Sequence, residues 1–356
     1  MQNLLFVTGG AGFIGGNFIR HGLQYDNGHI VNIDKLTYAG NPDTVRMLDE
    51  EERHMFIEAD IIQTDVLKKL FTAYRPNRVV HFAAESHVDR SIENPCVFVQ
   101  TNIIGTFCLL EAVKHYFHSL SHSEKKVFRF LHVSTDEVFG TLGLTGTFHE
   151  NNPYAPSTPY SATKGASNLL VHAWHKTYGI PILTVNCSNN YGPFQAPEKL
   201  MPKTILHAIQ SCAITIHGNG THVRDWLFVE DCCDGIMTVL NQGIPGENYS
   251  IGGNCERTTQ HVVESLCNIL DDSHGRKEKD SFRHLIRYIP DRPANDFRYS
   301  LNTRKIEAEL GWKAKTPFED GIRRTVFWYL EHRKWLFNAA ERLKSEPFLF
   351  ETFVKS

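Results

Sequence analysis

Residues 4–15 read Leu-Leu-Phe-Val-Thr-Gly-Gly-Ala-Gly-Phe-Ile-Gly, and this stretch decides the fold. The four apolar residues at its start are typical of a buried strand, and glycines follow at positions 9, 12 and 15. Glycines at this spacing permit a tight turn, a close backbone approach to a pyrophosphate, and close packing of the next helix. The stretch therefore predicts a strand, a glycine turn, and a helix whose N-terminus faces a dinucleotide.

Asp34 indicates which dinucleotide binds. It lies nineteen residues after Gly15, at the end of the second apolar run. A carboxylate there accepts hydrogen bonds from the adenosine ribose hydroxyls and repels a 2′-phosphate, which favours NAD, although the neighbouring Lys35 leaves NADP open. Asp60 and Ile61 follow the third apolar run and are either adenine contacts or part of a helix N-cap. With the Tyr-Lys pair described below, the predicted cofactor-binding residues are Gly9, Gly12, Phe13, Ile14, Gly15, Asp34, Asp60, Ile61, Tyr160 and Lys164.

The same alternation continues along the chain. Apolar runs such as Arg78–Phe82 are separated by segments of helical period such as Ile103–Tyr116 and Ser161–Tyr178. This alternation predicts an α/β fold with a doubly wound, parallel Rossmann sheet. Beyond Ser188 glycine and proline interrupt the pattern, which predicts a smaller C-terminal α/β substrate-binding domain. The expected boundaries are 1–187 for the NAD-binding domain, with segments around 223–254 returning to it, and 188–356 mainly for the substrate-binding domain.

Composition narrows the class of protein. The 356 residues include 37 Lys and Arg against 40 Asp and Glu, a net charge of −3 without long like-charge blocks, which argues against a nucleic-acid partner. The eight cysteines form no CxxC pair, and we expect reduced thiols. We find no secretory leader, no stretch approaching the roughly 18 consecutive apolar residues of a membrane span, and no metal-ligand spacing. The sequence predicts a cytoplasmic protein with neither a membrane nor a metal partner.

Two short motifs carry candidate chemistry. Tyr160 and Lys164 are spaced i, i+4, so a helix places both on one face, where the ammonium can lower the pKa of the phenol. This spacing is common by chance, but Ser134-Thr-Asp-Glu137 follows a buried strand and therefore lies at the carboxyl edge of the sheet, where open α/β folds bind ligands. The predicted catalytic residues are Thr135, Asp136, Glu137, Tyr160 and Lys164.

These motifs resemble those of the extended short-chain dehydrogenase/reductases that act on nucleotide sugars. A narrower set, over roughly residues 1–330, resembles the dTDP-glucose 4,6-dehydratases. Its elements are LTYAGN at 36–41, AAESHVDRS at 83–91, STDEVFG at 134–140, SNNYGP at 188–193, PEKL at 197–200 and RDWLFVEDC at 224–232. The Asp136-Glu137 pair is the most specific element, because sugar epimerases of the same superfamily lack it.

The resemblance implies conversion of dTDP-glucose to dTDP-4-keto-6-deoxy-glucose with tightly bound NAD that is regenerated in each turnover. The C5 proton becomes acidic only once a ketone stands at C4, so oxidation precedes elimination. Tyr160 would take the O4 proton while Thr135 positions O4. Glu137 would then remove the C5 proton, and Asp136 would protonate the departing O6 hydroxyl.

The resemblance also implies a substrate site, formed by Ser86, His87, Asn189, Glu198, Lys199, Leu200, Arg224, Arg292 and Tyr299. Two segments depart from the family pattern. Where the family usually reads Arg-Pro-Gly-His-Asp, residues 292–296 read Arg-Pro-Ala-Asn-Asp, and Thr259 stands where the family usually has Asn. Both departures fall where the nucleotide would be held, so the base, thymine or uracil, stays open.

Three alternatives remain at this point. The same chemistry could act on UDP-glucose, or the protein could be a nucleotide-sugar 4-epimerase, which needs Tyr160, Lys164 and NAD but not the paired acids. An NAD-binding sensor without turnover is a further, different class. Relatives pair the helices at 103–116 and 161–178 across a two-fold interface, so we expect a homodimer.

Overall fold

A computed structural model describes residues 3–49 and 51–345 of the chain. The strands are β1 (Leu4–Thr8), β2 (His29–Asp34), β3 (His54–Glu58), β4 (Arg78–His81), β5 (Arg129–Thr135), β6 (Ile182–Cys187), β7 (Asn189–Tyr191), β8 (Ile214–His217), β9 (Val223–Phe228), β10 (Asn248–Ile251), β11 (Glu256–Thr258) and β12 (Ile286–Ile289).

The helices surround these strands. They are α1 (Phe13–Tyr25), α2 (Pro42–Arg46), α3 (Thr64–Tyr74), α4 (Val88–Glu93), α5 (Pro95–Phe98), α6 (Thr106–Ser119), α7 (His122–Val127), α8 (Pro159–Tyr178), α9 (Leu200–Ile209), α10 (Val229–Gln242), α11 (Thr259–His274), α12 (Arg304–Leu310), α13 (Phe318–Glu331) and α14 (Arg333–Ser345). A π-helical turn, Val99–Gly105, joins α5 to α6, and 3₁₀ helices span Asp136–Phe139, Glu278–Asp280 and Phe282–Leu285.

Seven strands form one parallel sheet in the order β10-β6-β5-β4-β1-β2-β3. The chain builds outward from β1 in one direction through β2 and β3, and in the other through β4, β5 and β6. Ligands of such sheets bind at the carboxyl ends of the strands where this direction reverses, which here lies between β1 and β4. The predicted doubly wound α/β fold is confirmed.

Both faces of this sheet are buried. Side chains alternate along a strand, and in β1 Leu5 and Val7 join one apolar cluster whereas Leu4 and Phe6 join the cluster on the opposite face. The first cluster is closed by α1 and α10, and the second by α3, α6 and α8. Burial on both sides explains why the strands are continuously apolar rather than alternating.

The later part of the chain builds two small sheets and returns to the large one. One small sheet has the order β11-β9-β7 and the other pairs β12 with β8, while β10 adds to the large sheet beside β6. A third apolar cluster, centred on residues such as Tyr191, Ile205 and Leu266, packs α9, α11, α13 and α14 together. The division into domains at residue 187 stays a prediction. Residues 346–356, at the end of the predicted second domain, lie outside the part of the chain that the structure describes.

One helical run departs from the sequence analysis. Pro95–Ser119 is long and apolar enough to cross a membrane by length and composition, whereas we expected no such stretch. Half of its most apolar window is buried inside the protein, where Leu109, Leu110 and Val113 pack into the core beneath the sheet. The run therefore serves as a core helix of this fold.

Candidate active site

The glycine turn between β1 and α1 lines a cleft at the carboxyl edge of the sheet. Gly9 has a φ of 78°, and a Cβ there would lie 2.4 Å from the backbone nitrogen of Ala83. A Cβ at Gly15 would lie 2.3 Å from the carbonyl oxygen of Gly9. Gly12 precedes α1 and provides no side-chain cap, so the first N–H groups of the helix face outward without a side-chain acceptor. Side chains at Gly9 and Gly15 would collide with this neighbouring backbone, so glycine is needed for the tight turn and the close helix packing. With the free N–H groups at the start of α1, the turn fits a dinucleotide pyrophosphate.

Asp34 lines the same cleft at the end of β2. Its Oδ2 accepts a hydrogen bond from the N–H of Ala11 at 3.0 Å, and its Oδ1 accepts one from the N–H of Leu36 at 2.9 Å. Burial raises the pKa of this carboxyl, while the two backbone bonds act in the opposite direction. The carboxyl is thus held firmly in the position predicted for a ribose contact.

Asp60 and Ile61 also line the cleft. The Oδ1 of Asp60 accepts a hydrogen bond from the N–H of Ile62 at 3.1 Å, but Gln63 is the residue that directly precedes α3. Asp60 is therefore not the N-cap of that helix. Lys35, which left NADP open, lies with its Nζ 3.3 Å from the carboxylate of Asp60, so its charge is already paired.

The five predicted catalytic residues converge on this cleft. Thr135 ends β5, donates a hydrogen bond to Oδ1 of Asp136 at 3.2 Å, and accepts one from the N–H of Glu137 at 3.3 Å. The side chain of Tyr160 is hydrogen-bonded to Thr135. Lys164, one turn further along α8, donates from Nζ to the carbonyl oxygen of Val133 at 2.8 Å. The strand end and the helix face therefore meet as the sequence predicts.

Local sequence explains why α8 presents these two residues here. Thr158 and Ser161 form a capping box, and Pro159 occupies the first helical position. The helix therefore begins one residue before Tyr160, which fixes the direction of that side chain into the cleft. A second anchor is Asn102, which lies in the π-helical turn. Its side-chain amide donates a hydrogen bond to Oγ1 of Thr163 in α8, with a donor–acceptor distance of 2.9 Å.

The acidities of Tyr160 and Lys164 differ from the sequence prediction. Burial and the charge of Glu137 raise the pKa of the Tyr160 phenol, whereas we expected the ammonium of Lys164 to lower it. Burial lowers the pKa of Lys164 to about 8. The ammonium of Lys164 donates its hydrogen bond to the carbonyl of Val133 rather than to the phenol of Tyr160. Because its charge alone does not lower the pKa of the phenol, a further positive charge is needed for Tyr160 to act as a base near neutral pH.

The two adjacent carboxyl groups lie in different electrostatic environments. Burial, the charge of Glu137 and the charge of Asp225 raise the pKa of Asp136 well above its ordinary value. Burial also raises the pKa of Glu137, but three cations oppose that shift, namely Arg292, Arg224 and Lys199. Asp136 is therefore the group that keeps its proton, and Glu137 is the one that loses it first. This separation matches an acid and a base acting side by side.

Four predicted substrate-binding residues line the cleft beside the catalytic set, Ser86, Asn189, Glu198 and Lys199. The Nζ of Lys199 donates to the carbonyl oxygen of Ser86 at 2.9 Å, which ties the segment before α9 to the segment before α4. The side chain of Glu198 is only 3% exposed, and its Oε2 lies 3.8 Å from Nε2 of His87. Burial raises the pKa of the Glu198 carboxyl.

Arg224, Arg292 and Tyr299 do not line this cleft but flank it. The guanidinium of Arg224 is 4.4 Å from the ring centre of Tyr299, and the Tyr299 hydroxyl donates to Asp296. Both arginines lie close enough to Glu137 to act on its pKa. The structure therefore gathers these three residues at the edge of the catalytic cleft, on the side away from the glycine turn.

Two predicted substrate residues have other positions. His87 is the N-cap of α4, where its Nδ1 accepts a hydrogen bond from the N–H of Arg90, and it does not line the cleft. Leu200 begins α9 and packs against the apolar cluster of the later part of the chain. Their neighbours Ser86 and Lys199 do line the cleft, because adjacent side chains at a helix start point in different directions.

Sequence analysis missed two acidic residues of the site. Asp225, fully buried in β9, accepts hydrogen bonds from the N–H groups of Gly253 and Cys255, and its charge acts on Asp136. Glu85 lines the cleft, and its backbone N–H donates to Asn102 at 2.8 Å. Both lie inside motifs already quoted, and the available signal for Asp225 was a charge embedded in an otherwise apolar strand.

A parallel doubly wound sheet, a glycine turn that fits a dinucleotide, and a Tyr-Lys pair facing a threonine at the sheet edge define an extended short-chain dehydrogenase/reductase. No group of three or more His, Cys, Asp or Glu side chains that could hold a metal ion occurs in residues 3–49 and 51–345.

Comparisons with known proteins narrow this class. The family model of GDP-mannose 4,6 dehydratase matches residues 6–325. A dTDP-glucose 4,6-dehydratase of Xanthomonas campestris pv. campestris (strain B100) is 50% identical over 330 residues, covering 93% of this chain and 94% of that protein. Crystal structures of dTDP-glucose 4,6-dehydratases from Bacillus anthracis and Streptomyces venezuelae, both with NAD, are each 39% identical. Their TM-scores are 0.83 and 0.86, and they cover 95% and 94% of this chain and 99% of their own chains. The chain belongs to the dTDP-glucose 4,6-dehydratase family.

Proposed function

We propose that this protein is an NAD-dependent dTDP-glucose 4,6-dehydratase that converts dTDP-glucose to dTDP-4-keto-6-deoxy-glucose. The observation that carries the proposal is the pair Asp136 and Glu137, held beside Tyr160 in one cleft. Burial raises the pKa of both carboxyls, but carboxylates raise that of Asp136 further while three cations oppose the rise at Glu137. An epimerase has no use for a protonated acid next to an ionised base. The names of the relatives described above support the same activity.

The residues that would hold NAD are those of the glycine turn together with Asp34, Asp60 and Ile61. When bound, NAD accepts a hydride from C4 of the sugar and later returns it to C6, and its oxidised ring carries a positive charge. Asp34 is fixed by two backbone N–H groups and has room to accept from ribose hydroxyls, which favours NAD over NADP.

Oxidation at C4 requires removal of the O4 proton. Tyr160 is the base for this step, and Thr135, hydrogen-bonded to it, orients the O4 hydroxyl. The ammonium of Lys164 supplies positive charge behind the phenol and is itself anchored on Val133. When hydride has left C4 and Tyr160 has taken the proton, a ketone stands at C4.

Elimination follows because the ketone makes the C5 proton acidic. Glu137, whose ionised form is favoured by three nearby cations against the effect of burial, accepts that proton. Asp136, whose pKa is raised well above its ordinary value, donates its own to O6 so that water leaves from C6. Glu137 then returns a proton to C5 as hydride reaches C6. The sugar has lost one water. Tyr160 then carries the O4 proton and Asp136 has lost its own, so release of a proton from Tyr160 to solvent and uptake of one by Asp136 restore the starting protonation.

The decisive experiment is mass spectrometry of the purified protein incubated separately with dTDP-glucose and UDP-glucose, without added NAD. We expect loss of one water from dTDP-glucose, with resident cofactor sustaining turnover. Loss of water from UDP-glucose alone would show that the substrate carries uracil rather than thymine, and the proposed reaction chemistry would stand. A product of unchanged mass but altered C4 configuration would select the epimerase, and NAD binding without any turnover would favour the sensor.

Asp225 gives a prediction on pH dependence. Burial raises its pKa to about 6, so at neutral pH it is mostly charged and raises the pKa of Asp136. In Asp225→Asn that charge is absent, Asp136 loses its proton at lower pH, and the general acid disappears earlier as pH rises. We expect the alkaline limb of kcat to move toward acid by about one pH unit.

The measurement is kcat against pH from the neutral to the alkaline range. Asp231→Asn is the matched control, because Asp231 is also a buried carboxylate that accepts two backbone N–H groups, those of Lys315 and Thr316. It should lose stability in the same way and leave the alkaline limb in place. If the alkaline limb of the kcat–pH profile is unchanged in Asp225→Asn, the assignment of Asp136 as the acid is contradicted.

We further propose a homodimer formed through α6 and α8. Their outward faces expose Phe107 at 40%, Leu169 at 62% and Tyr178 at 36%, which is unusual for large apolar side chains on neighbouring helices. The ring of Phe107 packs on that of Trp174 with centroids 5.8 Å apart, so the two helices present one continuous apolar surface. A two-fold axis would bury it against its own copy.

Charge placed on this surface should dissociate the dimer. Leu169→Glu buries an unpaired carboxylate in the interface, and we expect dimer dissociation to become at least about 100-fold more favourable. Size-exclusion chromatography with light scattering measures the mass. Leu144→Glu is the control, because Leu144 is 83% exposed but lies away from α6 and α8. A wild-type protein that elutes as a monomer would overturn the proposal.

A cytoplasmic location is part of the same proposal. All eight cysteines lie in the described part of the chain and carry free thiols, which suits a reducing compartment.

A further inference from the structure

Asn295 lies between two arginines and an aspartate at the edge of the active-site cleft. Its Oδ1 accepts hydrogen bonds from Nη2 of Arg224 at 3.2 Å and from Nε of Arg292 at 3.3 Å. Its Nδ2 donates to Oδ1 of Asp291 at 2.7 Å. This is one of the positions where the sequence departs from the family, which usually has histidine there.

The chemistry of the neighbours dictates what kind of side chain fits. A guanidinium only donates hydrogen bonds, and a carboxylate only accepts them. The residue between them must accept at one end and donate at the other, which an amide does and which neither leucine nor aspartate can do. The amide orientation is fixed by the same rule, because the reverse orientation would leave its NH₂ group facing the arginines.

The turn before Asn295 brings it to this position. Ala294 has a φ of 54°, in the left-handed region that favours glycine, and the family usually has glycine there. The chain therefore keeps the backbone turn even though it has lost the residue best suited to it. A turn retained at some conformational cost indicates that the side chain following it has a positional task.

The two arginines held by Asn295 converge on the substrate side of the cleft. Arg224 is only 9% exposed and is stacked on Tyr299, while Nη1 of Arg292 reaches Oδ1 of Asp89 at 3.3 Å. Both act on the charge of Glu137, which places them within a short distance of the reacting groups. Planar guanidinium groups in such a pair suit the oxygens of a diphosphate.

We propose that Asn295 is a positioning residue, which holds Arg224 and Arg292 at the separation that grips the diphosphate of the nucleotide sugar. The inference rests on the proposed function, since that function supplies the diphosphate. Asn295 itself touches no reacting atom. Because an amide does not titrate, it organises the arginines without adding or removing charge between them.

The test is isothermal titration of dTDP into the purified, NAD-containing protein, combined with steady-state kinetics on dTDP-glucose. Asn295→Leu is nearly isosteric but has no polar atoms, and we expect dTDP affinity to fall and KM to rise by about tenfold or more. The fall in kcat should be smaller than the rise in KM, because Tyr160, Asp136 and Glu137 themselves are unchanged and Glu137 senses the arginines only through their charge. Asn302→Ala, which removes an amide further along the same segment that bonds only the N–H of Arg304, should leave both parameters unchanged.

A rescue variant separates positioning from general loop stability. Neutral histidine has one donor and one acceptor, so Asn295→His above the ordinary imidazole pKa should restore most of the dTDP affinity lost in Asn295→Leu. If the leucine variant fails to fold, Asn295→Ala, which also removes both polar atoms without adding charge, serves as the impaired member of the pair. Affinity within about twofold of wild type in the impaired variant, or a fall in kcat with unchanged KM, overturns the role of Asn295. A wild-type protein that neither binds dTDP nor dehydrates its glucose ester would instead refute the proposed function.

Discussion

Replacing Tyr160 by phenylalanine is expected to reduce kcat by about 10³-fold, with no oxidised or dehydrated sugar formed in a single turnover. The phenol is the one group hydrogen-bonded to Thr135 that can take the O4 proton, and the change removes only its oxygen. Every later step depends on the C4 ketone, so elimination is lost together with oxidation. Mass spectrometry of a single-turnover reaction, with enzyme in excess over dTDP-glucose, measures both.

Tyr154→Phe is the matched control for this change. Its hydroxyl accepts a hydrogen bond from Asn168 at 3.2 Å, and it lies outside the set that lines the cleft. It should turn over at close to the wild-type rate. NAD content should be the same in both variants, so that a lost cofactor cannot be mistaken for a lost base. Single-turnover oxidation at the wild-type rate in Tyr160→Phe would rule out Tyr160 as the base.

The parts of this molecule that follow from local sequence were predicted correctly. The glycine turn and the alternation of strands with helices are each encoded within a dozen residues, and they give the doubly wound sheet. Parallel strands end at one edge, so Thr135 and Tyr160 could be placed together from the strand end and helix spacing alone. The prediction of paired acids at this edge needed no knowledge of distant residues.

The parts that were missed depend on contacts between distant segments. The charge of Asp225 reaches Asp136 only because β9 folds back beside the end of β5, and the bridge made by Asn295 joins two arginines 68 positions apart in the chain. The raised pKa of the Tyr160 phenol has the same origin, since burial and Glu137 outweigh the expected effect of Lys164. Neither burial nor charge separation can be read from the spacing of residues in one helix.

Pro95–Ser119 shows the same limit in a different way. Its length and composition match those of a membrane-spanning helix. Only the packing of Leu109 and Val113 beneath the sheet identifies it as a core helix. Other apolar residues of the run, including Ile104 and Phe107, do not take part in that packing and remain exposed on the protein surface. The apolar composition of this run therefore does not specify which of its faces the protein core covers, because that depends on how the helix packs in the fold.

Glu137→Gln is expected to block dehydration by at least about 10³-fold while still allowing the C4 ketone to form. Glutamine keeps the size of the side chain but cannot accept the C5 proton, whereas Tyr160 and Thr135 are unchanged. The stalled sugar should be lighter by two hydrogens rather than by one water in a single-turnover mass spectrum. In deuterated water its C5 hydrogen should not exchange, because the base that would remove it is gone.

Asp136→Asn is the informative comparison, because it removes the acid and leaves the base. Its surroundings keep Asp136 protonated, so the asparagine variant should lose elimination yet still exchange the C5 hydrogen through Glu137. The two variants thus differ in deuterium content although both fail to release water. Exchange in Glu137→Gln with none in Asp136→Asn would reverse the two roles, and an unchanged product yield from Glu137→Gln would remove Glu137 from the mechanism. The predicted pattern follows from the balance of charges around the two carboxyls. Three cations and one carboxylate act on Glu137, whereas one cation and two carboxylates act on Asp136, and a simple turn or helix cap has no reason to possess this difference.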